Sequence, residues 1–473
     1  MGLPDQHRRV LFITYEFPPS LEVGAHASKQ LARYLPLYGW EPLVLTVHER
    51  YYPDRDTRSQ SAFPGRVVRT RVFSHLLDVC SRLKSRLGFS ANRLDTAVQR
   101  EAEWSGEGIG TVRRWILSLL KTPDVYTGWI LPAVLNGLRE IRRQGVTHLC
   151  SSAPYWSNHL VGLILSHLTG LTWTAHFRDP WVGIPQWKPT CAASQWIERT
   201  LEGMVVQRAT AVVCVTELHT SLFRQRYPGV PPARFVTIPN GFDEAEWNGL
   251  GTKSDNGGPA EQNRFVIRYA GSLYQRRNPL PLFRALETLV DSREIDRSSI
   301  TIDLVGWCDL AEGRRVQEMA EECRIPQCVT FTGPLNRADT LRSMTQADLL
   351  LLLAEAQPYQ IPGKTYEYLR AGRPILALTS DDALAQLLRR TGGAWVVPPG
   401  DDEGVVAALR EAYTRWRRGE RGPVADRTFV ASFDRRLLAG RLAEQFDKTS
   451  HGVGGSRVSN ARHPQARGLD EDR

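Results

Sequence analysis

The sequence has no long hydrophobic run. Spanning a bilayer takes ~18 apolar residues in succession, and the apolar stretches of this 473-residue chain are short, as at 349–354. A membrane-crossing helix is not expected. Residues 1–9 are polar and lead straight into an apolar run, without the basic, apolar and small-residue order of a signal peptide, so a cytoplasmic location is expected. Cysteine is sparse: the seven are scattered, and the nearest pair, Cys323 and Cys328, has neither zinc-ribbon nor redox spacing. Reduced, structural thiols follow. Lysine is as scarce, seven of 60 basic residues, the rest being arginine. The formal charge of +9 comes without dense basic runs, zinc-finger spacing or an RNA-binding aromatic signature, so nucleic acid is not an expected partner. Anionic substrates and an anionic membrane surface remain.

Hydrophobic residues make up 42% and charged residues 23%, the balance of a folded globular protein. The length exceeds one core of ~100–200 residues and suggests two lobes. Short β-branched runs alternate with helical patterns in two sets, the signal of βαβ units and parallel sheets. The first set is 10–15, 42–47, 146–151, 171–176, 211–215 and 235–239; the second is 265–270, 301–305, 329–332, 348–353, 374–379 and 394–397. Residues 249–263, rich in Gly, Asn and Ser, read as a linker between lobes 1–248 and 264–428. A C-terminal helix is expected over 429–447, and the tail 448–473 has too little apolar content to fold. The 73–124 insertion departs from the rhythm. In it Val112, Trp115, Ile116, Leu119 and Leu120 share a helical face with Arg113, Arg114 and Lys121 off it. An ordinary packed helix is the commoner meaning of that pattern; peripheral contact with an anionic membrane surface is the other.

Ligands of open α/β sheets bind beyond the carboxyl ends of the strands, where helix N-termini present free N–H groups. After the run at 348–353 the chain reads Ile361, Pro362, Gly363, Lys364, Thr365, Tyr366, Glu367 and closes with Gly372 and Pro374. A lysine in a first helical turn opposes the macrodipole by a few tenths to ~1 kcal/mol unless an anion joins it. Lys364 therefore asks for a phosphate. Glu367 is either a cap for free N–H groups or an acceptor for the two hydroxyls of a ribose. The turn after 265–270 reads Gly271, Ser272, Leu273, Tyr274, Gln275, Arg276, Arg277, Asn278, Pro279. It brings Arg277 to the same crevice, with Arg276 expected on the solvated surface. In the first lobe, Gly24 lies in a loop small enough for close approach to a phosphate, and His176, Arg178 and Asp179 end a strand at a loop stiffened by Pro180. His176 and Asp179 are candidates to meet a sugar or acceptor hydroxyl, with a local Arg178–Asp179 salt bridge as the structural alternative.

Together these motifs resemble glycosyltransferase family 4, retaining enzymes of GT-B fold with two Rossmann-like domains facing a cleft. The resemblance is strongest at 271–279, Val305 and Gly306, 331–333, 364–374 and 396–401, and 151–181 is similar to the N-terminal domain of bacterial members that often assemble surface polysaccharides. It implies that Arg277 contacts the donor diphosphate with Lys364 as a second phosphate contact, and that Glu367, second Glu of the paired-glutamate motif, holds the ribose. It also implies that Gly24 lies close to the donor phosphates and that His176 sits near the family's active-site histidine. Two positions depart: Tyr359 stands where the first Glu belongs, with Glu355 four residues upstream, and Ser272 stands where a basic residue follows Gly271.

The activity implied is transfer of a sugar from a nucleotide-diphosphate donor, bound by the C-terminal domain, to a glycan or lipid-linked acceptor on the N-terminal domain. No cofactor and no metal are expected. The early acidic pair Asp54 and Asp56 sits in a Tyr/Pro/Arg loop, and Gly106, Gly108 and Gly110 imitate a dinucleotide fingerprint without a preceding strand. The alternatives are a nucleotide-sugar epimerase of the same fold and a non-catalytic nucleotide-sugar-binding protein.

Overall fold

A computed structural model describes residues 8–55, 63–73, 122–184, 187, 191–250, 264–274, 276–380 and 382–451. The apolar helical face at 112–120, the three glycines at 106–110, most of the linker and the tail beyond 451 lie outside the described residues.

The first lobe runs through β1 (Arg8–Ile13), α1 (Val23–Tyr34), β2 (Trp40–Val47), β3 (Arg66–Thr70), α2 (Ile130–Gln144), β4 (His148–Ala153), α3 (Ser157–Thr169), β5 (Thr172–Phe177), α4 (Ala192–Arg208), β6 (Ala211–Cys214), α5 (Glu217–Arg226) and β7 (Phe235–Thr237). Its strands form a parallel sheet in the order β3-β2-β1-β4-β5-β6-β7. The second lobe runs through β8 (Phe265–Ala270), α6 (Leu280–Asp291), β9 (Ile300–Val305), a small hairpin of β10 (Leu310–Ala311) and β11 (Arg314–Arg315), and α7 (Val316–Glu322). It continues with β12 (Val329–Gly333), α8 (Arg337–Gln346), β13 (Leu349–Ala354), α9 (Gly363–Ala371), β14 (Ile375–Thr379), α10 (Ala383–Thr391), β15 (Ala394–Val397) and α11 (Asp402–Arg417). Here the parallel order is β12-β9-β8-β13-β14-β15. In each sheet the order reverses beside the first strand of the lobe, between β1 and β4 and between β8 and β13. The crevices therefore open beyond the ends of those strands.

Burial on both faces explains why the leucines of β13 make a strand despite their helix propensity. All six of its residues are buried, with Leu349 paired to Ile267 and Leu350 to Ile375. β3 is absent from the strands expected above. It pairs only with β2, from Leu43↔Arg66 to Val47↔Thr70, is mostly half-buried, and so lacks the apolar run of a central strand.

The chain crosses between lobes twice, side by side. After α12 (Arg427–Ala431), α13 (Arg435–His451) returns to the first lobe, where Leu438, Leu442 and Phe446 pack with Val10, Phe12 and Trp40. Burying a side chain such as Phe446 contributes about 1.5–3 kcal/mol. Where the crossings meet, Phe242 N–H donates to Phe433 O at 3.2 Å and Arg435 N–H donates to Phe242 O at 2.7 Å. Any side chain at Gly241 would overlap the Phe433 carbonyl.

Candidate functional site

Gly271 leaves β8 with φ +137°, where its N–H donates to Val305 O at 2.8 Å. A Cβ there would stand 2.5 Å from the Lys364 ammonium, and one on Gly306 would overlap the Gly271 carbonyl. Two glycines thus let the β8 turn lie directly beneath Lys364. Lys364 is the second residue of α9, which begins at Gly363 after Pro362 with no side-chain cap. Its aliphatic stem is half-buried, but Nζ is enclosed, sits 3.9 Å from the centre of the Tyr269 ring, and has no hydrogen-bond partner. Burial, with the Arg277 charge beside it, drives its pKa well below the usual lysine range. The hydroxyl of Thr365 on the same turn is also buried and unpartnered.

Arg277 is 8% exposed, packs 3.9 Å from the centre of the Tyr274 ring and donates to Ser272 O at 3.3 Å. Its Nε has no partner. The Tyr269 hydroxyl donates to the same carbonyl at 2.8 Å, so Ser272 serves through its backbone. Arg276 is not the solvated surface residue expected. Held at φ +65°, it donates to Ala356 O at 3.0 Å and ties the β8 turn to the loop after β13. Two basic side chains, each with an unpartnered buried nitrogen, therefore lie together at an uncapped helix N-terminus. Buried polar groups are normally satisfied, and an anion would satisfy these.

Glu367 does not act as a cap. Its Oε1 accepts from Arg337 Nη2 at 2.6 Å, and Arg337 also holds Glu246 at 2.8 Å. Glu246 in turn lies 2.8 Å from His26 Nε2 on α1. Burial alone would raise Glu246, yet His26 and Arg337 bring it down to about 2. Tyr359 lends its backbone: its carbonyl accepts from the Thr216 hydroxyl of the first lobe at 2.9 Å. Glu355 is exposed at the end of β13.

On the facing lobe, His176 is the last but one residue of β5, is 4% exposed, and pairs through Nδ1 with the Ser152 hydroxyl at 3.0 Å. Burial and the charges of Arg178 and Arg435 press its pKa to about 3, leaving a neutral imidazole. Asp179 is raised by burial, against the pull of Arg178 and of a hydrogen bond from Gln360, which reaches across from the loop before α9. A Cβ on Gly24 would stand 2.9 Å from Arg178 Nη1 and 3.1 Å from Glu16 Oε2. Glu16 is pushed up to about 8 by burial and the Glu22 charge, against Tyr155 and Arg178.

Arg337, Arg435 and Glu16 are absent from the sequence-based candidates. Arg435 is 5% exposed with an unpartnered Nε; burial and Arg178 lower its pKa to about 10, while Glu367 acts to raise it. Its charge therefore reaches His176 on one side and Glu367 on the other. Glu16 lies just past the end of β1, where strand-end reasoning points. Nothing local marks Arg337 or Arg435.

Residues 91–246 match the family model described as Glycosyltransferase Family 4, and residues 264–415 the one described as Glycosyl transferases group 1. The chain belongs to glycosyltransferase family 4. As a glycosyltransferase of GT-B fold it is similar in structure to a glycosyltransferase from Rickettsia africae, at TM-score 0.57 and 12% identity over 94% of this chain and 99% of that one. It is similar to HepE from Anabaena, solved in complex with UDP, at TM-score 0.54 and 13% identity over 96% and 100%. The N-terminal domain of trehalose-6-phosphate phosphatase from Candida albicans matches at TM-score 0.63 and 12% identity over 95% and 98%. At these identities the likeness is one of fold. No curated protein matches the glycosyltransferase in sequence.

Proposed function

We propose that this glycosyltransferase binds a nucleoside diphosphate sugar at the first turn of α9 and transfers the sugar, with retention and without a metal, to a glycan or lipid-linked acceptor held by the N-terminal lobe. The observation that carries the reading is the enclosed, partnerless ammonium of Lys364 beside Arg277. HepE, solved in separate complexes with UDP and with UDP-glucose, supports a donor of this class.

Cleavage of the bond from anomeric carbon to phosphate oxygen leaves negative charge on the diphosphate, which Arg277, Lys364, the Thr365 hydroxyl and the N–H groups of Gly363 and its neighbours stabilise. Gly271 and Ser272 supply the backbone beneath them, and Gly24 brings the first-lobe loop close. Glu367 accepts the ribose hydroxyls, with Arg337 holding its carboxylate in place. In a retaining transfer the acceptor hydroxyl attacks from the leaving-group face and its proton passes to the departing phosphate oxygen. His176 then serves as a neutral hydrogen-bonding group that positions the sugar, and Asp179, tied to Gln360, helps to close the lobes over it. Chelation of divalent ions is expected to leave the rate unchanged.

Among the described residues no helix is long and apolar enough to cross a membrane. Exposed Leu131 and Leu135 on α2, Leu168 on α3 and Trp196 on α4 nevertheless give three adjoining helices an apolar outer surface. They support a peripheral contact with the inner face of the cell membrane, where a lipid-linked acceptor would be met.

Thermal stabilisation by a panel of nucleoside diphosphates and their sugars tests the donor site. One nucleotide should give a clear shift that Lys364→Ala and Glu367→Ala abolish; a shift unchanged in both variants would place the donor elsewhere.

A further inference from the structure

The second lobe carries a cavity of about 740 Å³ at the end of its sheet opposite the donor turn. Phe265, which opens β8, and Leu349, which opens β13, line it, whereas Gly271 follows the other end of β8. At ~3.3 Å per residue the two places lie roughly 20 Å apart. Both inter-lobe crossings form its walls, Phe242 and Glu244 on the outward segment and Val430 and Asp434 on the return. So does the C-terminal end of α9, where Arg370 pairs with Glu244 and lies 5.2 Å from the centre of the Trp247 ring. The helix whose first turn holds Lys364 thus ends in this cavity.

Its charges are unevenly satisfied. Glu244 is taken by Arg370, Glu420 lies 4.0 Å from Arg418, and Asp434 accepts the Arg436 N–H at 3.0 Å. Arg421 and Arg427 are exposed at the cavity, and among the described residues their guanidinium groups have neither an ion pair nor a hydrogen bond. Two tryptophans supply an apolar wall: Trp416 packs 5.5 Å from Phe265, and Trp395 lies alongside on β15. The volume falls within the range of small-ligand sites, ~300–1,000 Å³.

We propose that this cavity is a second, regulatory site for a small organic phosphate. Arg421 and Arg427 take the phosphate, since guanidinium groups bind its oxygens through charge-assisted hydrogen bonds, and the tryptophan faces take the organic body. An occupant touching both crossings and the end of α9 favours one separation of the lobes over another, and so changes donor affinity.

Uridine monophosphate, glucose 6-phosphate and inorganic phosphate, titrated into the full-length Lys364→Ala/Glu367→Ala variant, test the site with the donor turn disabled. At least one organic phosphate should bind saturably at millimolar concentration or below, which one separating a nucleotide from a sugar phosphate. Adding Arg421→Ala/Arg427→Ala should weaken it about tenfold or more, roughly 1.4 kcal/mol. No saturable binding, or binding indifferent to those two arginines, overturns the site; inorganic phosphate binding as well as either organic phosphate overturns the role of the tryptophan wall. In the wild type the same ligand should shift the Kd of the nucleoside diphosphate about fivefold or more beyond any direct competition that remains in Arg421→Ala/Arg427→Ala. An unshifted Kd overturns the regulation. A wild type that binds no nucleoside diphosphate would count against the donor reading and leave the first comparison standing.

Discussion

Lys364→Met is expected to stabilise the free enzyme and to cripple nucleotide binding. In the free protein the ammonium is enclosed without a partner, above the Tyr269 ring and beside Arg277. An unsatisfied buried polar group costs about 1–3 kcal/mol. Methionine keeps the unbranched shape and the ring contact while removing that cost. For a lobe of this size each kcal/mol moves Tm by about 2–4 °C, so the variant should unfold several degrees above wild type. With nucleoside diphosphate present the advantage should shrink or vanish. Hydrogen bonds to charged groups contribute about 1.5–3 kcal/mol, which corresponds to a Kd weaker by about 10- to 100-fold. Differential scanning calorimetry with and without the nucleotide reads both effects from one pair of samples. A variant less stable than wild type in the free state, or one keeping the full nucleotide shift, would refute the reasoning.

Glu16 gives a pH signature. Its folded pKa of about 8, against 4.5 ordinarily, means that the folded enzyme keeps a proton the unfolded chain releases. The associated stability is present below the ordinary value and lost as pH rises through the folded one. Glu16→Gln should therefore exceed wild type in stability at about pH 9, by on the order of a few kcal/mol, and the gap should close toward about pH 4; a constant gap in thermal scans contradicts this. Because burial and Arg277 depress Lys364, an anion seated beside it should raise its pKa again, so diphosphate binding should be linked to proton uptake as pH rises toward the usual lysine range. Titration calorimetry in two buffers of different ionisation enthalpy measures that uptake, and identical apparent enthalpies would argue against it. Trp196→Glu should reduce sedimentation with anionic vesicles, and unchanged sedimentation would remove the membrane contact.

The central strands were legible because burial on both faces writes them as continuous apolar runs, as at 349–354. The edge strand β3, with two arginines in five residues, carries no such signal. Lys364 could be found from one short motif, because its conflict with the helix dipole is local. Arg337 and Arg435 could not: Arg337 reaches Glu367 across 30 residues, and Arg435 approaches the cleft only because α13 returns to the first lobe. Glu367 shows the same limit. Its position on α9 allowed a cap or a ribose acceptor, and the Arg337 partnership that excludes the cap is a tertiary fact. Arg276 looked like surface charge until the β13 loop supplied the Ala356 carbonyl.

The most direct test of the donor site is release of nucleoside diphosphate from the nucleotide sugar that stabilises the enzyme, compared between wild type and Arg277→Ala. Removing an electrostatic stabiliser of the leaving group is expected to slow turnover by about 10²–10³-fold. Equal rates would contradict a diphosphate seated between Arg277 and Lys364.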